Sequence, residues 1–504
     1  MSIPPVPPEL RALPRRRLAR SPGASGAGPA PPAVARCPGP AEPGGDLPPI
    51  ERLPRGGPLP ASVYQQWAWE ALQGRTSADL NLPFAVRCAD PRSLPALVAG
   101  LRELERRHEA LRTRMVRAAD EPWTVCQAVD PPGRLEVPLI DLSRLGRAAR
   151  ERELGRLATA DAAQPIDLVA RAMFRARLVR LGADGLAALC TLGHLVGDGW
   201  SVEILRGELA VLGEAFAAGR PSPLAEPPVQ FADFAGWQRR VAGSAALSRQ
   251  LDYWRRRLDG APLPLVLPAD WPPRERGTEQ GVCRFSAPLT ARIRDLARAQ
   301  GATTPMVVLA AFGLLLAAYT GESDVVIESK VLGRPRPELA AVVGLFMSTL
   351  PHRLDLAGDP GFAEALRRTR DGVVEDYCNQ DLPYPRLLCE LFPGRRYLSR
   401  VAFNMLSFPT PTALEAWDRQ QAIFSYQGRG PDQEAPKYDL MVLGHEDRDR
   451  LRLMLVGAAS RFRDETMEDV AADLEAMIAG AVDDPGAPAA RLLPAPRYRH
   501  AAPR

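Results

Sequence analysis

His194 and Asp198 stand four residues apart in the run Gly193-His194-Leu195-Val196-Gly197-Asp198-Gly199. An imidazole with an unperturbed pKa of about 6.5 can take a proton from an attacking amine or hydroxyl at neutral pH and later return it. Asp198 can hold a neighbouring cation or the loop itself, and Gly199 lets backbone approach a reacting carbonyl. Those residue types suit acyl transfer, with His194, Asp198 and Gly199 as its catalytic core. A plainer role fits the same residues: His194 as a hydrogen-bonded core histidine, and Asp198 as a helix N-cap ahead of Gly199-Trp200-Ser201.

Two elements must position this run. Leu186 to Leu192 reads as a buried strand, and Val202, Leu205, Leu209, Leu212 and Phe216 recur at helical spacing, which sets His194 at a strand end before a helix. Other candidates are weaker. His108, His352 (after a strand), His445 (by a turn) and His500 form no convincing alternative base, and no GxSxG nucleophile elbow or P-loop is present.

The run resembles the HHxxxDG motif of the condensation domains of nonribosomal peptide synthetases, within the chloramphenicol acetyltransferase-like superfamily. The histidine assigned catalysis in that family falls on His194, while Gly193 replaces the first. Further motifs follow in the family's order. Ser62 to Trp69 is similar to SxAQQRLW, Arg107 to Thr113 to RHExLRT, and Phe231 to Trp237 to YxDYAxW. Gly333-Arg334-Pro335-Arg336 resembles GRxR, Gly344 to Pro351 resembles GxFVNTLP, and Asn379-Gln380-Asp381-Leu382-Pro383-Tyr384 resembles HQDxPFE. Ser399-Arg400 with Phe403-Asn404 weakly echoes the last motif. The DFGWG motif of plant-type acyltransferases is absent. Met347-Ser348 departs from the family's Val-Asn and leaves Ser348 a shorter polar group facing a tunnel.

The resemblance implies an α/β (α+β layered) fold of two chloramphenicol acetyltransferase-like subdomains in a V, with His194 at an interface tunnel. The N-terminal subdomain would span 58–225 and the C-terminal one 226–485, flanked by a disordered tail over 1–57 and a flexible tail over 486–504. It further implies a carrier protein presenting an acyl or peptidyl thioester on phosphopantetheine in trans, or acyl-CoA, as donor. The acceptor would be a small-molecule amine or alcohol. No bound cofactor is expected. Gly193, Trp200, Ser201, Arg112, Arg334, Ser348, Asn379, Gln380 and Asp381 would line or brace the tunnel, and Asp198 would pair with Arg334 or Arg112. The implied activity is condensation by a free-standing enzyme, forming an amide or ester in secondary-metabolite or antibiotic biosynthesis. The alternative is a catalytically degenerate relative that recruits a partner protein.

Composition is compatible with this. The 504 residues, 46% of them hydrophobic, suffice for one or two substantial cores. A net charge of +4 gives no reason to expect nucleic-acid binding. Seven scattered cysteines lack metal-ligand spacing and suit free thiols, so neither disulfides nor a metal is expected, and the compartment is expected to be the cytoplasm. Residues 1–57 are rich in Pro, Ala, Gly and Arg and carry almost no apolar periodicity. Met306 to Tyr319, shorter than the ~20 residues of a membrane span, reads as a buried helix capped by Thr303-Thr304-Pro305, so no membrane association is expected. Leu94 to Glu109 reads as an amphipathic helix and Leu251 to Trp254 as part of another. Asp324 to Glu328 reads as a strand, Tyr438 to Val456 as a hairpin, Pro264 to Pro273 as a loop-rich crossover, and Glu465 to Ala479 as the last helix.

Overall fold

A computed structural model describes residues 47–72, 78–117, 125–270, 278–405, 438–446, 450–493 and 498. The chain opens with β1 (Leu59–Pro60), α1 (Val63–Leu72), β2 (Asn81–Cys88), α2 (Leu94–Arg107), β3 (Thr113–Arg117) and β4 (Val125–Val129). It continues through β5 (Leu139–Asp141), α3 (Arg147–Ala163), β6 (Phe174–Arg180), β7 (Leu186–Gly193) and α4 (Gly199–Ala217). In this half β1, β4 and β3 form a small sheet, and a second sheet has the order β2-β7-β6-β5, antiparallel except for β5 beside β6.

The unbroken apolar run of β7 follows from its place in that sheet. Leu186, Ala188, Cys190 and Leu192 face the core built with α2 and α4, while Ala187 and Leu189 face the core under α3. A strand covered on both faces reads as continuously hydrophobic rather than alternating. On α4, Val202, Leu205, Leu209 and Leu212 are buried in the first of these cores.

The second half begins with α5 (Phe231–Val241) and α6 (Ala245–Arg257), then β8 (Thr278–Arg284), α7 (Ala287–Ala299), α8 (Thr304–Thr320), β9 (Asp324–Val331) and β10 (Ser348–Asp355). There follow α9 (Phe362–Cys378), α10 (Tyr384–Leu391), β11 (Val401–Met405), β12 (Leu440–Glu446) and β13 (Leu451–Ala458). The helix Asp464–Asp483 comes next and the short helix Ala489–Leu492 last. Its six-stranded sheet has the order β10-β9-β11-β12-β13-β8. The helix α8 is buried along most of its length in the core of this half. No single helix among the described residues is long and apolar enough to cross a membrane, although α7 and α8, bent by 95°, pass that test as a pair.

Several expectations are corrected. Residues 47–57, assigned to a disordered tail, lie as a strap on α5, with Leu47 and Ile50 buried beside Trp237 and Phe346. The Trp237 indole N–H donates to the Pro48 carbonyl at 2.7 Å, the Leu53 N–H donates to Asp233 Oδ1 at 2.8 Å, and Arg55 pairs with Asp233 and Glu109. These partners lie more than 170 residues away, except Glu109, so local composition carries no sign of them. Within the stretch assigned to a flexible C-terminal tail, Ala487, Leu492, Leu493 and Tyr498 are buried in the C-terminal core, where their apolar surface is covered. Thr303 occupies the N-cap of α8 without a side-chain cap, and Thr304 Oγ1 donates to Glu446 instead. His352 lies inside β10, and the last long helix extends beyond its expected ends.

The free-thiol expectation holds at Cys88, Cys126, Cys190 and Cys283 and fails at Cys378, which is disulfide-bonded. Thiol approach is a tertiary property that spacing does not encode. Residues 1–46, Pro272-Pro273, the turn at 447–449 and His500 lie outside the described residues.

Candidate functional site

The motif occupies the turn from β7 to α4. The His194 backbone N–H donates to the Leu80 carbonyl at 2.7 Å and that of Gly193 to the Met173 carbonyl at 2.7 Å, so the turn is tied to neighbouring segments on both sides. From α1, the Gln65 side-chain amide donates to the Leu195 carbonyl at 2.8 Å. These contacts leave His194 only 6% exposed.

The imidazole is held in one tautomer. Nδ1 lies 2.8 Å from the Gly197 carbonyl oxygen, which can only accept, so Nδ1 carries the proton and Nε2 is the basic nitrogen. Burial pushes the His194 pKa below its ordinary value. The Gly197 bond and the Asp198 charge oppose that shift, and the Lys330 ammonium adds to it. At neutral pH the ring is therefore an uncharged base.

Asp198 has a different task. It is the N-cap of α4, its Oδ1 accepting from the Ser201 N–H at 2.9 Å. Arg334 Nη1 donates to Oδ2 at 2.9 Å and Nη2 to Oδ1 at 3.0 Å, while the backbone N–H groups of Phe346 and Met347 both donate to Oδ2 at 3.0 Å. Burial pushes this carboxyl up, but Arg334 and Ser201 outweigh it, and the pKa lies below the ordinary carboxylate value. Both oxygens are thus committed to structure. Of the two arginines expected as its partner, Arg334 is the one that pairs with Asp198.

Arg112 is elsewhere, its Nη1 donating to the Asp130 carbonyl at 2.6 Å. Gly199 begins α4, and the Trp200 indole donates to the Ala340 carbonyl at 2.9 Å. Ser201 Oγ lies 2.8 Å from Asp198 Oδ1 and accepts from the Gly344 N–H at 3.0 Å. The segment carrying Arg334 needs Gly333, whose φ is +63° and where a Cβ would fall 1.9 Å from the Phe346 carbonyl oxygen. Gly193 also sits at a close approach: a Cβ there would lie 2.9 Å from Met173 Cβ. The space of a first histidine is therefore closed in this chain by Met173.

Tyr64, on α1, meets the second half at β10. Tyr64 Oη lies 3.3 Å from Ser348 Oγ and accepts from the Thr349 N–H at 2.9 Å; burial drives its pKa up to about 12. Lys330 Nζ donates to Thr349 Oγ1 at 2.8 Å and to the Tyr438 hydroxyl at 2.9 Å. That hydroxyl in turn donates to the buried Glu328 at 2.7 Å. Asn379 and Gln380 make local bonds to the Glu375 and Tyr377 carbonyls, and Asp381 accepts from Gln250 at 3.1 Å. Ser348, Gln380 and Asp381 line a small cavity with Tyr64, whereas Asn379 does not.

His108 is engaged with Glu208 at 2.8 Å and His352 with Asp376 at 2.7 Å. Tyr64, Gln65, Lys330 and Met173 had no site role from sequence. Tyr64 and Gln65 lie in the opening SxAQQRLW-like motif, which was the available signal. Among the described residues no group of three or more His, Cys, Asp or Glu could hold a metal ion.

Comparison with known proteins agrees with this geometry. The family model described as Condensation domain matches residues 57–498. The chain is 34% identical over 448 residues to chondramide synthase cmdD of Chondromyces crocatus, covering 87% of this chain and 11% of that protein. Among solved structures, the X-domain from teicoplanin biosynthesis superposes with a TM-score of 0.70 at 25% identity, covering 88% of this chain and 99% of that one. The condensation domain of the monacolin K polyketide synthase MokA superposes with a TM-score of 0.71 at 21% identity, covering 86% and 99%, a likeness of fold. The chain thus corresponds to about a tenth of the length of the synthase it resembles.

Proposed function

This chain belongs to the condensation-domain family, and on that premise we propose that it transfers an acyl or peptidyl group from a carrier-bound phosphopantetheine thioester to an amine or hydroxyl acceptor. The observation that carries the reading is the buried His194 ring, with Nδ1 bonded to the Gly197 carbonyl, which makes Nε2 the basic atom. The acceptor enters between the two halves, and Nε2 takes its proton as the nitrogen or oxygen attacks the thioester carbonyl carbon. The tetrahedral intermediate then collapses, the carbon–sulfur bond breaks, and the sulfur leaves as a thiol with the proton returned by His194. The products are an amide or ester and free phosphopantetheine thiol. Asp198 and Arg334 act by holding the turn rigid against the second half. Relatives of this chain serve nonribosomal peptide and antibiotic biosynthesis, which is the setting proposed here.

The test is mass spectrometry of loaded carrier proteins incubated with the wild type and with His194→Ala, screened against small amines and alcohols. A new amide or ester made by the wild type and lost in the variant is expected. Folded wild type that binds a carrier yet forms no product would overturn the transfer reading in favour of partner recruitment.

A further inference from the structure

A small cavity of about 40 Å³ lies where α1, α5 and the segments after β9 and α9 meet. Its walls include the rings of Phe234, Trp237 and Phe346, and its polar lining includes Ser348, Gln380 and Asp381. No lysine, arginine or histidine lines it. Asp381 makes one hydrogen bond, from the Gln250 amide to Oδ2, and no ion pair among the described residues. Burial raises its pKa, opposed by the Gln250 bond and by the charge of Arg336, which stacks over the Trp237 ring and reaches the Leu47 carbonyl. A half-buried carboxylate with one hydrogen bond gains from a cation placed beside it.

We infer that this cavity is a binding site for a small organic ammonium group, held by Asp381 Oδ1 with Ser348 and Gln380 as further oxygen acceptors. An ammonium has three donors and no acceptor, and Asp381 offers it a carboxylate among the hydroxyls of Ser62, Tyr64 and Ser348 and the amides of Gln238 and Gln380. Phe346 and Trp237 each already stack a guanidinium, Arg334 at 4.3 Å and Arg336 at 4.7 Å, so the charge is held by the carboxylate rather than by the aromatic walls. The volume suits a head group with one or two carbons rather than a pantetheine arm. The Phe346 ring closes the cavity while its backbone N–H holds Asp198, so the site adjoins the anchor of the His194 turn. It suits a second, non-reacting amine of a substrate, because the nucleophile itself must be uncharged. That link to substrate rests on the acyl-transfer reading; the binding does not.

The experiment therefore uses no thioester. The full chain is titrated with ethylammonium chloride and with ethanol at constant ionic strength, followed by ligand-observed NMR, for the wild type, Asp381→Asn and Gln380→Lys. In the wild type ethylammonium is expected to bind saturably and about tenfold more tightly than ethanol, the scale of one charge-assisted hydrogen bond. Asp381→Asn should remove the preference, and Gln380→Lys, which tethers an ammonium beside Asp381, should block it. Equal affinity for the two probes, or a preference that survives in either folded variant, would overturn the inference. Failure of the wild type to form product in the separate carrier-thioester assay, with ethylammonium binding intact, would count against the acyl-transfer reading alone.

Discussion

Arg334 grips both carboxylate oxygens of Asp198 across 136 residues of sequence, with the two side chains 4% and 2% exposed. Removing one partner of a buried pair strands the other without compensation. Arg334→Ala is therefore expected to destabilise the protein by about 3–5 kcal/mol. Asp198→Asn with Arg334→Gln together should cost less than the sum of the single changes, as measured by the midpoint of urea unfolding. Additive losses would show that the pair is not coupled.

The same pair makes stability depend on acid. The Asp198 pKa is depressed in the folded state, so its contribution is fully present above the unfolded value of about 3.9 and is lost as pH falls through the folded value. Arg334→Gln should flatten that part of the stability profile, followed by circular dichroism between pH 2 and 6 on the order of the carboxylate range.

His194 shifts stability in the same direction at higher pH. Its folded pKa lies below the unfolded value of about 6.5, so its contribution is fully present above that pH and is lost as pH falls through the folded value, because the unfolded chain binds the extra proton. The acid limb of any transfer activity should accordingly fall below pH ~6.5. Lys330→Gln removes a charge that helps depress this pKa, and the imidazole resonance of His194 should then titrate at higher pH. An unchanged midpoint would mean that Lys330 does not act on the ring.

Gly193 and Met173 form a second coupled pair. Gly193→Ala sets a Cβ against Met173 Cβ, and overpacking of this kind typically costs about 1–3 kcal/mol. With Met173→Ala as background the insertion should cost less, a coupling on the order of 1 kcal/mol in a double-mutant cycle of unfolding free energies. Restoring the family's first histidine by Gly193→His should require the same background.

The strap is testable as well. Ile50→Ser removes a buried apolar side chain from the contact with α5 and should destabilise by about 1–3 kcal/mol in thermal or urea unfolding. A change near zero would put residues 47–57 back among the unstructured segments.

Much of the fold was legible where the signal is local. The buried run of β7, the apolar stripe of α4 and the core helix α8 each follow from periodicity over one element, and all three stand where expected. The motif residues also meet at one turn, because only five positions separate Gly193 from Asp198 and a strand end fixes their geometry. The strap and the buried C-terminal end were hidden by their composition. Proline-rich chain looks unstructured by itself and is held by Trp237, Asp233 and the C-terminal core, which are distant in sequence.

The sequence by itself determined that a histidine sits at a strand-to-helix turn within a condensation-type order of motifs. It also left Arg112 and Arg334 equally open as partners of Asp198. Only the tertiary structure decided that Arg334 is the partner, that Met173 closes the space beside Gly193, and that Asp381 faces a cavity without a basic residue. The physical reason is range. Backbone periodicity and turn chemistry act over a few residues and are written in neighbouring letters, whereas charge pairing and burial depend on which distant segments the packed cores bring together.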